Sequence, residues 1–369
     1  MNLLVVSTAP VLTTPEGKVA YAPMVTELDL WFTHAEHITI VAPTTYNKPL
    51  LTSPFKNQGV AIVSVPGLYF GTPIGFLKSI WGVSITKIKL LGAMAKADHI
   101  HLRCPGNTTL LACVMQVLFP RKTKTAKYAG NWDPKAKQPF SYKIQKWILG
   151  NTFLTKNMQV LVYGQWPNQT KNIKPFFTAS YREAEKQDAS PRDYSGIQKF
   201  VFVGSLSPGK RPEYAVQLVL ELKKMGLEVT LDIYGEGDMR SVLEKQIEAA
   251  NANTFIVLHG NQPKEQIKTA YKQAHFLILP SKSEGWPKAI AEAMFWGCIP
   301  LATPISCVPW MLNNGTRGVL LNLKTDAQEL YKVLQDKPRL QTISAAAQNW
   351  SRSYTLDVFD SEIKKLLHP

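Results

Sequence analysis

Short apolar runs alternate with stretches of helical spacing along almost the whole 369-residue chain, and this rhythm restricts the fold more than any other feature. Strand-like runs occur at 3–7, 38–42, 61–65, 100–103, 125–129 and 159–162. A second series opens with Lys199-Phe200-Val201-Phe202-Val203 and continues at 229–234, 254–259, 276–280 and 299–302. The segments between carry apolar residues at helical spacing, as in Tyr214-Ala215-Val216-Gln217-Leu218-Val219-Leu220-Glu221-Leu222. Parallel strands require crossover helices, which cover both faces of the sheet. Two such series predict an α/β protein of two Rossmann-like domains. The boundaries fall at 1–180 and 198–354, with a terminal helix at 355–369. The seam is the charged stretch 180–198, which holds Pro191 and Gly196 and lacks apolar periodicity.

Hydrophobic content of 45% and charge of 19% are globular values, and the length suits two ordinary domains. No apolar run is long enough for a membrane helix. The opening Met1-Asn2-Leu3-Leu4-Val5-Val6-Ser7 reads as a strand rather than a signal peptide, because it has no basic head or cleavage site. Cys104, Cys113, Cys298 and Cys307 form no C-x-x-C pair and read as buried thiols in a reducing compartment, so a cytoplasmic protein is expected. Charge is uneven: residues 1–195 hold 22 Lys+Arg against 10 Asp+Glu, and residues 196–369 hold 20 against 17. Nucleic acid, anionic lipid or a polyphosphate substrate could answer such a basic half. No nucleic-acid-binding motif occurs, so nucleic acid is not expected. The stretch 71–91 mixes Trp, Phe, aliphatic and Lys residues. It fits a basic amphipathic helix on the inner face of a membrane, and equally a buried Rossmann helix with a solvated lysine edge.

Chemistry concentrates after the apolar run 276–280. Ser283-Glu284-Gly285-Trp286-Pro287-Lys288 is a small polar turn leading into a helix, with Pro287 in its first turn and Glu292 inside it. A Gly-containing turn feeding a helix start offers free N–H groups to an anion such as a diphosphate. Glu284 and Glu292 can then accept hydrogen bonds from hydroxyls on either side of that diphosphate, as a nucleotide-sugar would present them. A capping Glu and a solvated Glu in an ordinary βα turn is the plainer alternative. Gly204, Ser205, Lys210 and Arg211 follow the first strand of the second series, where two cations can neutralise a leaving diphosphate. Gly235 lies in Tyr234-Gly235-Glu236-Gly237, an incomplete dinucleotide fingerprint with Arg240 at the third glycine position. Gly260 and Asn261 end the next strand and could line a nucleobase.

In the first half, the candidates for an acceptor site are also at strand ends. Residues 7–21 read as a long loop containing Gly17. His99, His101 and Arg103 share one strand face, with Arg103 and Asn107 toward the carboxyl end. No third ligand accompanies the histidines, so packing is the better reading of His99 and no metal site is expected. Asn131, Trp132 and Asp133 close another strand, where Trp132 could stack on a sugar or simply pack. No D-x-D pair occurs, so a metal held by paired aspartates is not expected.

These residues resemble the retaining glycosyltransferases of family four (group 1), which have the GT-B fold. The resemblance runs over 200–321: Phe202-Val203-Gly204, Lys210, Tyr234-Gly235-Glu236-Gly237, Pro280-Ser281, the pair Glu284 and Glu292, Val308-Pro309, and 314–320. It implies two parallel-sheet domains facing across a cleft, and a last helix that returns to the first domain. It places Glu284 near the donor sugar, Glu292 near the ribose and Lys210 near the leaving diphosphate. It implies transfer from a nucleotide-sugar (a UDP- or GDP-sugar) to a saccharide acceptor, with retention and without a metal or other cofactor; the basic first half points to a lipid-linked saccharide, a surface-polysaccharide precursor, as that acceptor. The chain departs from the family pattern at Ser205, where an Arg is usual, at Asn131, where many members have His, at Trp310, where a Glu is usual, and at Glu16-Gly17, where a Gly-Gly pair is usual. A non-catalytic sugar-nucleotide-binding subunit, or an epimerase or hydrolase on the same fold, are the alternatives.

Overall fold

The computed structural model describes residues 1–46, 50–69, 73–187 and 192–368. It divides into two compact units, Met1–Phe177 with Phe359–Pro369, and Thr178–Val358. The helix Leu356–Leu367 therefore begins in the second unit and ends in the first.

The first unit is built on seven parallel strands in the order Ile173–Phe176, Met158–Tyr163, Thr123–Tyr128, His99–Cys104, Asn2–Ser7, His37–Ala42, Ala61–Ser64. Numbered along the chain, this is 7-6-5-4-1-2-3, and the order reverses between Asn2–Ser7 and His99–Cys104. Leu3, Leu4, Val5 and Val6 are all buried, so the run is continuously apolar rather than alternating. The strand Ile173–Phe176 was not legible beforehand, since Lys174 and Pro175 break its apolar pattern. The expected loop 7–21 instead contains a hairpin, Val11–Thr14 with Gly17–Tyr21, joined by Thr52–Pro54. Val11, Val19 and Ala20 are buried in it, too few apolar positions among the intervening Thr, Pro and Gly residues to show as a pattern.

A charged cluster lies inside this unit. Glu27 accepts from Lys127 Nζ at 2.7 Å and pairs with Arg103, and all three side chains are buried or nearly so. Lys127 also donates to the carbonyl of Phe177 at 3.4 Å and lies 4.9 Å from the Phe359 ring centre. Burial pushes the Glu27 carboxyl up, but the adjacent Arg103 and Lys127 charges outweigh it and hold the group well below the usual carboxylate range. His99 and His101 both meet Thr125 Oγ1, at 2.8 and 2.9 Å, and Trp31 lies 4.0 Å from the His101 ring. They are packed residues, and burial lowers His99 to about 4.

These groups set an acid dependence. A carboxyl with a depressed folded pKa contributes stability above its unfolded pKa, and that contribution is lost as pH falls through the folded value. The histidines act in the same direction, because their unfolded imidazoles take up protons below about 6.5 while the folded ones resist. The urea midpoint of the first unit should therefore fall between about pH 5 and 3, and Glu27→Gln should flatten that slope. Equal slopes in the two proteins would remove Glu27 from the account.

The second unit has six parallel strands in the order Ile256–Gly260, Val229–Tyr234, Gln198–Val203, Phe276–Leu279, Ile299–Ala302, Val319–Leu320. In chain order this is 3-2-1-4-5-6, the Rossmann arrangement, with its switch point between Gln198–Val203 and Phe276–Leu279. Phe200, Phe202, Leu231, Ile233, Phe276 and Ile278 lie at its centre. Phe276-Leu277-Ile278-Leu279 is buried throughout, as expected of a strand covered on both faces.

Candidate functional site

Ligands of open α/β sheets sit beyond the strand carboxyl ends at the switch point. In the second unit, the loops at that point are tied by their backbones. Gly204 N donates to Tyr234 O at 3.0 Å, Leu206 N to Glu236 O at 2.9 Å and Gly235 N to Gly260 O at 2.8 Å. Lys282 N donates to Gly209 O at 2.8 Å, which links the loop after the first strand to the loop after the fourth. Gly235 has φ +140°, and a Cβ there would stand 1.9 Å from the Gly204 carbonyl oxygen, so only glycine lets these turns close.

The two loops bring Lys210 and Glu284 into an ion pair, with side chains 28% and 10% exposed. The neighbouring Arg211 caps the helix Pro212–Lys224 in a left-handed conformation, φ 51°, and its guanidinium donates to the Pro280 carbonyl at 3.3 Å. Both cations therefore point to the end of the strand Phe276–Leu279. Glu284 is held through its backbone by Ser306: its N donates to Ser306 Oγ at 3.2 Å, and that hydroxyl donates to its carbonyl. Cys307 Sγ donates to the Gly285 carbonyl at 3.2 Å.

The helix Lys288–Phe295 starts after this turn. Pro287 is its N-cap rather than a residue of its first turn, and no side chain caps it. Its opening N–H groups have the positive end of the helix dipole behind them. Glu292 lies four residues after Lys288, on the same helix face. Its carboxylate accepts from Ser180 Oγ at 2.5 Å and faces Tyr271 Oη at 3.5 Å. Burial raises its pKa, opposed by the Ser180 hydrogen bond and by the charges of Lys288 and Lys264. Chemically, the arrangement offers two cations, one uncapped helix start and two carboxylates with oxygens available to hydroxyl donors.

Other residues singled out in the second unit have varied settings. Ser205, Ser283 and Asn261 are exposed. Trp286 is buried, about 6 Å from the rings of Trp310, Trp350 and Tyr354, so it packs the turn rather than lining open space. Trp310 belongs to the same aromatic cluster. Ser306, Cys307, Ser180 and Tyr271 were missed. The first two lie in the loop after the neighbouring strand Ile299–Ala302, where topology could have pointed to them, whereas nothing in the local sequence marks Ser180 or Tyr271.

The first-half candidates are engaged in structural work. Arg103 is held by buried Glu27 rather than left free for an anion. Trp132 does not face a crevice: it is buried in the core, meets Tyr128 edge-on at 4.9 Å and donates from Nε1 to Gln169 Oε1 at 2.9 Å. Asn131 Oδ1 accepts from Asp133 N at 2.9 Å, and Asp133 Oδ1 accepts from Lys135 N at 2.8 Å, two successive Asx turns. Asn107 opens the helix Asn107–Met115 and donates to the Leu68 carbonyl at 2.8 Å. Gly17 closes the hairpin with φ +110°, against Gln58.

Residues 183–350 match the family model of glycosyl transferases group 1. That segment contains the loops that carry Lys210, Glu284 and Glu292, though not Ser180, and the resemblance to the group 1 glycosyltransferases read from the sequence is borne out. The chain is 25% identical over 142 residues to an alpha-D-kanosaminyltransferase of Streptomyces kanamyceticus, covering 38% of this chain and 37% of that protein. It is 28% identical over 142 residues to the amylovoran biosynthesis glycosyltransferase AmsK of Erwinia amylovora, covering 37% and 35%. These matches span less than half the length of either relative. Across the full chain, the fold is that of HepE from Anabaena, solved in complex with UDP and glucose: TM-score 0.68, 15% identity, 100% of this chain and 99% of that one. The architecture is GT-B, two Rossmann-like domains.

Proposed function

We propose that the protein is a glycosyltransferase that moves a hexose from a nucleotide-sugar, a UDP- or GDP-sugar, to a saccharide or lipid-linked acceptor in the cytoplasm. The observation that carries this reading is the Lys210–Glu284 pair beside the uncapped start of the helix Lys288–Phe295, within the segment that matches the group 1 family. The diphosphate would rest on the first amides of that helix and on Lys210, with Arg211 as the second cation in place of the one absent at Ser205. Glu284 would accept from the sugar hydroxyls and Glu292 from the ribose, where the ribose displaces the Ser180 hydroxyl. As the sugar leaves, charge develops on the diphosphate, and positive groups already aimed there lower the barrier. Retention of configuration and independence of metal follow the resemblance, and the sequence has no D-x-D pair. The relative named for amylovoran biosynthesis supports a polysaccharide precursor as acceptor.

The reading is tested by donor binding. Thermal shift against UDP-, GDP-, ADP- and CMP-sugars should single out one donor, since a ligand that binds the native state raises the midpoint. In calorimetry, Glu292→Gln should then bind that donor about tenfold more weakly, the loss of a hydrogen bond to a charged group of about 1.5 kcal/mol. Unchanged affinity would refute the role of Glu292, and no stabilisation by any donor would refute the reading itself.

A further inference from the structure

Three helices of the first unit, Pro73–Lys96, Asn107–Met115 and Phe140–Gly150, lie side by side, with the second between the other two. In the first of these, Thr86, Leu90 and Met94 turn inward and are buried. Its opposite face is also apolar but uncovered: Trp81 is 75% exposed and Ile88 72%, with Ile85 between them. Phe140 and Trp147, on one face of the third helix, are 76% and 65% exposed, with exposed Lys143 on that face as well. A largely apolar groove lined by Val83, Asn107, Leu110, Leu111, Val114 and Ser141 connects the three helices. Residues 71 and 72 of the amphipathic stretch lie outside the described residues, as do the side chains of Pro73, Ile74, Phe76, Leu77 and Lys78.

Charge identifies what covers this face. The three helices carry six lysines and no acidic residue. Of these, Lys87, Lys89, Lys96 and Lys143 are exposed. A protein partner of average composition would offer no reason for so complete an exclusion of acidic groups, whereas an anionic lipid surface does. Trp side chains with an apolar body and a polar N–H suit the headgroup boundary, and flanking lysines can meet lipid phosphates. Among the described residues, no helix is long and apolar enough to cross a membrane, so the geometry is that of a surface lying on a bilayer.

We infer that this three-helix face of the first unit docks on anionic membrane lipid, with Trp81, Ile88, Phe140 and Trp147 entering the headgroup layer and the lysines around them binding lipid phosphates. Docking involves neither donor nor turnover, so it stands or falls separately from sugar transfer. The test is flotation of the full chain with vesicles of equal parts phosphatidylcholine and phosphatidylglycerol, beside vesicles of phosphatidylcholine alone. Binding should require the anionic lipid and weaken as salt is raised. Trp81→Ser with Ile88→Ser, and separately Lys87→Glu with Lys143→Glu, should each reduce partitioning by at least about tenfold without lowering the melting temperature, because these side chains are exposed. Three results would overturn the inference: no binding to anionic vesicles, equal binding to neutral ones, or unaltered binding by both double variants. A dimer in sedimentation velocity that Trp81→Ser with Ile88→Ser dissolves would also overturn it, by assigning the face to a second copy of the chain.

Discussion

Lys210→Ala should lower turnover of the donor selected by thermal shift by about 10²–10³-fold, the usual effect of removing one preorganised group that stabilises developing charge. Lys210 is the cation that reaches the loop after Phe276–Leu279 and pairs with Glu284 there, while the Arg211 guanidinium is engaged by the Pro280 carbonyl. The deficit should lie in kcat more than in KM, because the group acts where charge appears as the sugar departs. Folding should be little affected: the pair is partly exposed at 28% and 10%, and such pairs contribute at most about 1 kcal/mol. Lys210→Arg should recover part of the loss. A fall below tenfold for Lys210→Ala, with a folded protein, would move the leaving-group role elsewhere.

Lys127→Ala should have the largest effect on stability, about 3–5 kcal/mol, because it removes one partner of a buried ion pair and leaves the other desolvated. Lys127 is 1% exposed and holds Glu27 at 2.7 Å. Its excess positive charge lies near the rings of Tyr163, Phe176 and Phe359, at 5.4, 5.8 and 4.9 Å from their centres. It also binds the carbonyl of Phe177, so it ties the last described residues of the first unit's main segment and its returning helix to the same point. Scanning calorimetry should show the first unit's transition falling by roughly 6–20 °C. A loss under about 1 kcal/mol would mean that Arg103 alone can neutralise Glu27.

Most of the fold could be read from the chain because its strands are buried on both faces. Such strands appear as uninterrupted apolar runs, and 276–280 and 299–302 coincide with the observed Phe276–Leu279 and Ile299–Ala302. The hairpin Val11–Thr14 with Gly17–Tyr21 and the edge strand Ile173–Phe176 escaped, since short edge strands carry too few apolar residues for a pattern. The convergence of Lys210, Arg211 and Glu284 was legible for a related reason. Each follows a strand of one sheet, and strand ends near a switch point converge whatever the loop sequences are. Arg103 and Trp132 also lie at or just past strand ends, yet they turn inward to Glu27 and Gln169. Sequence periodicity gives the side of the strand but not the depth of the side chain. Ser180 and Tyr271 reach Glu292 from distant parts of the chain, a contact that no local pattern encodes.

A crystal structure of the protein with a bound nucleoside diphosphate addresses the main proposal without an acceptor or an assay. The phosphates should lie within hydrogen-bond distance of the first amides of Lys288–Phe295 and of Lys210 Nζ, with the ribose hydroxyls on Glu292 in place of Ser180. A nucleotide bound elsewhere, with Ser180 still on Glu292 and Lys210 away from the phosphates, would contradict it.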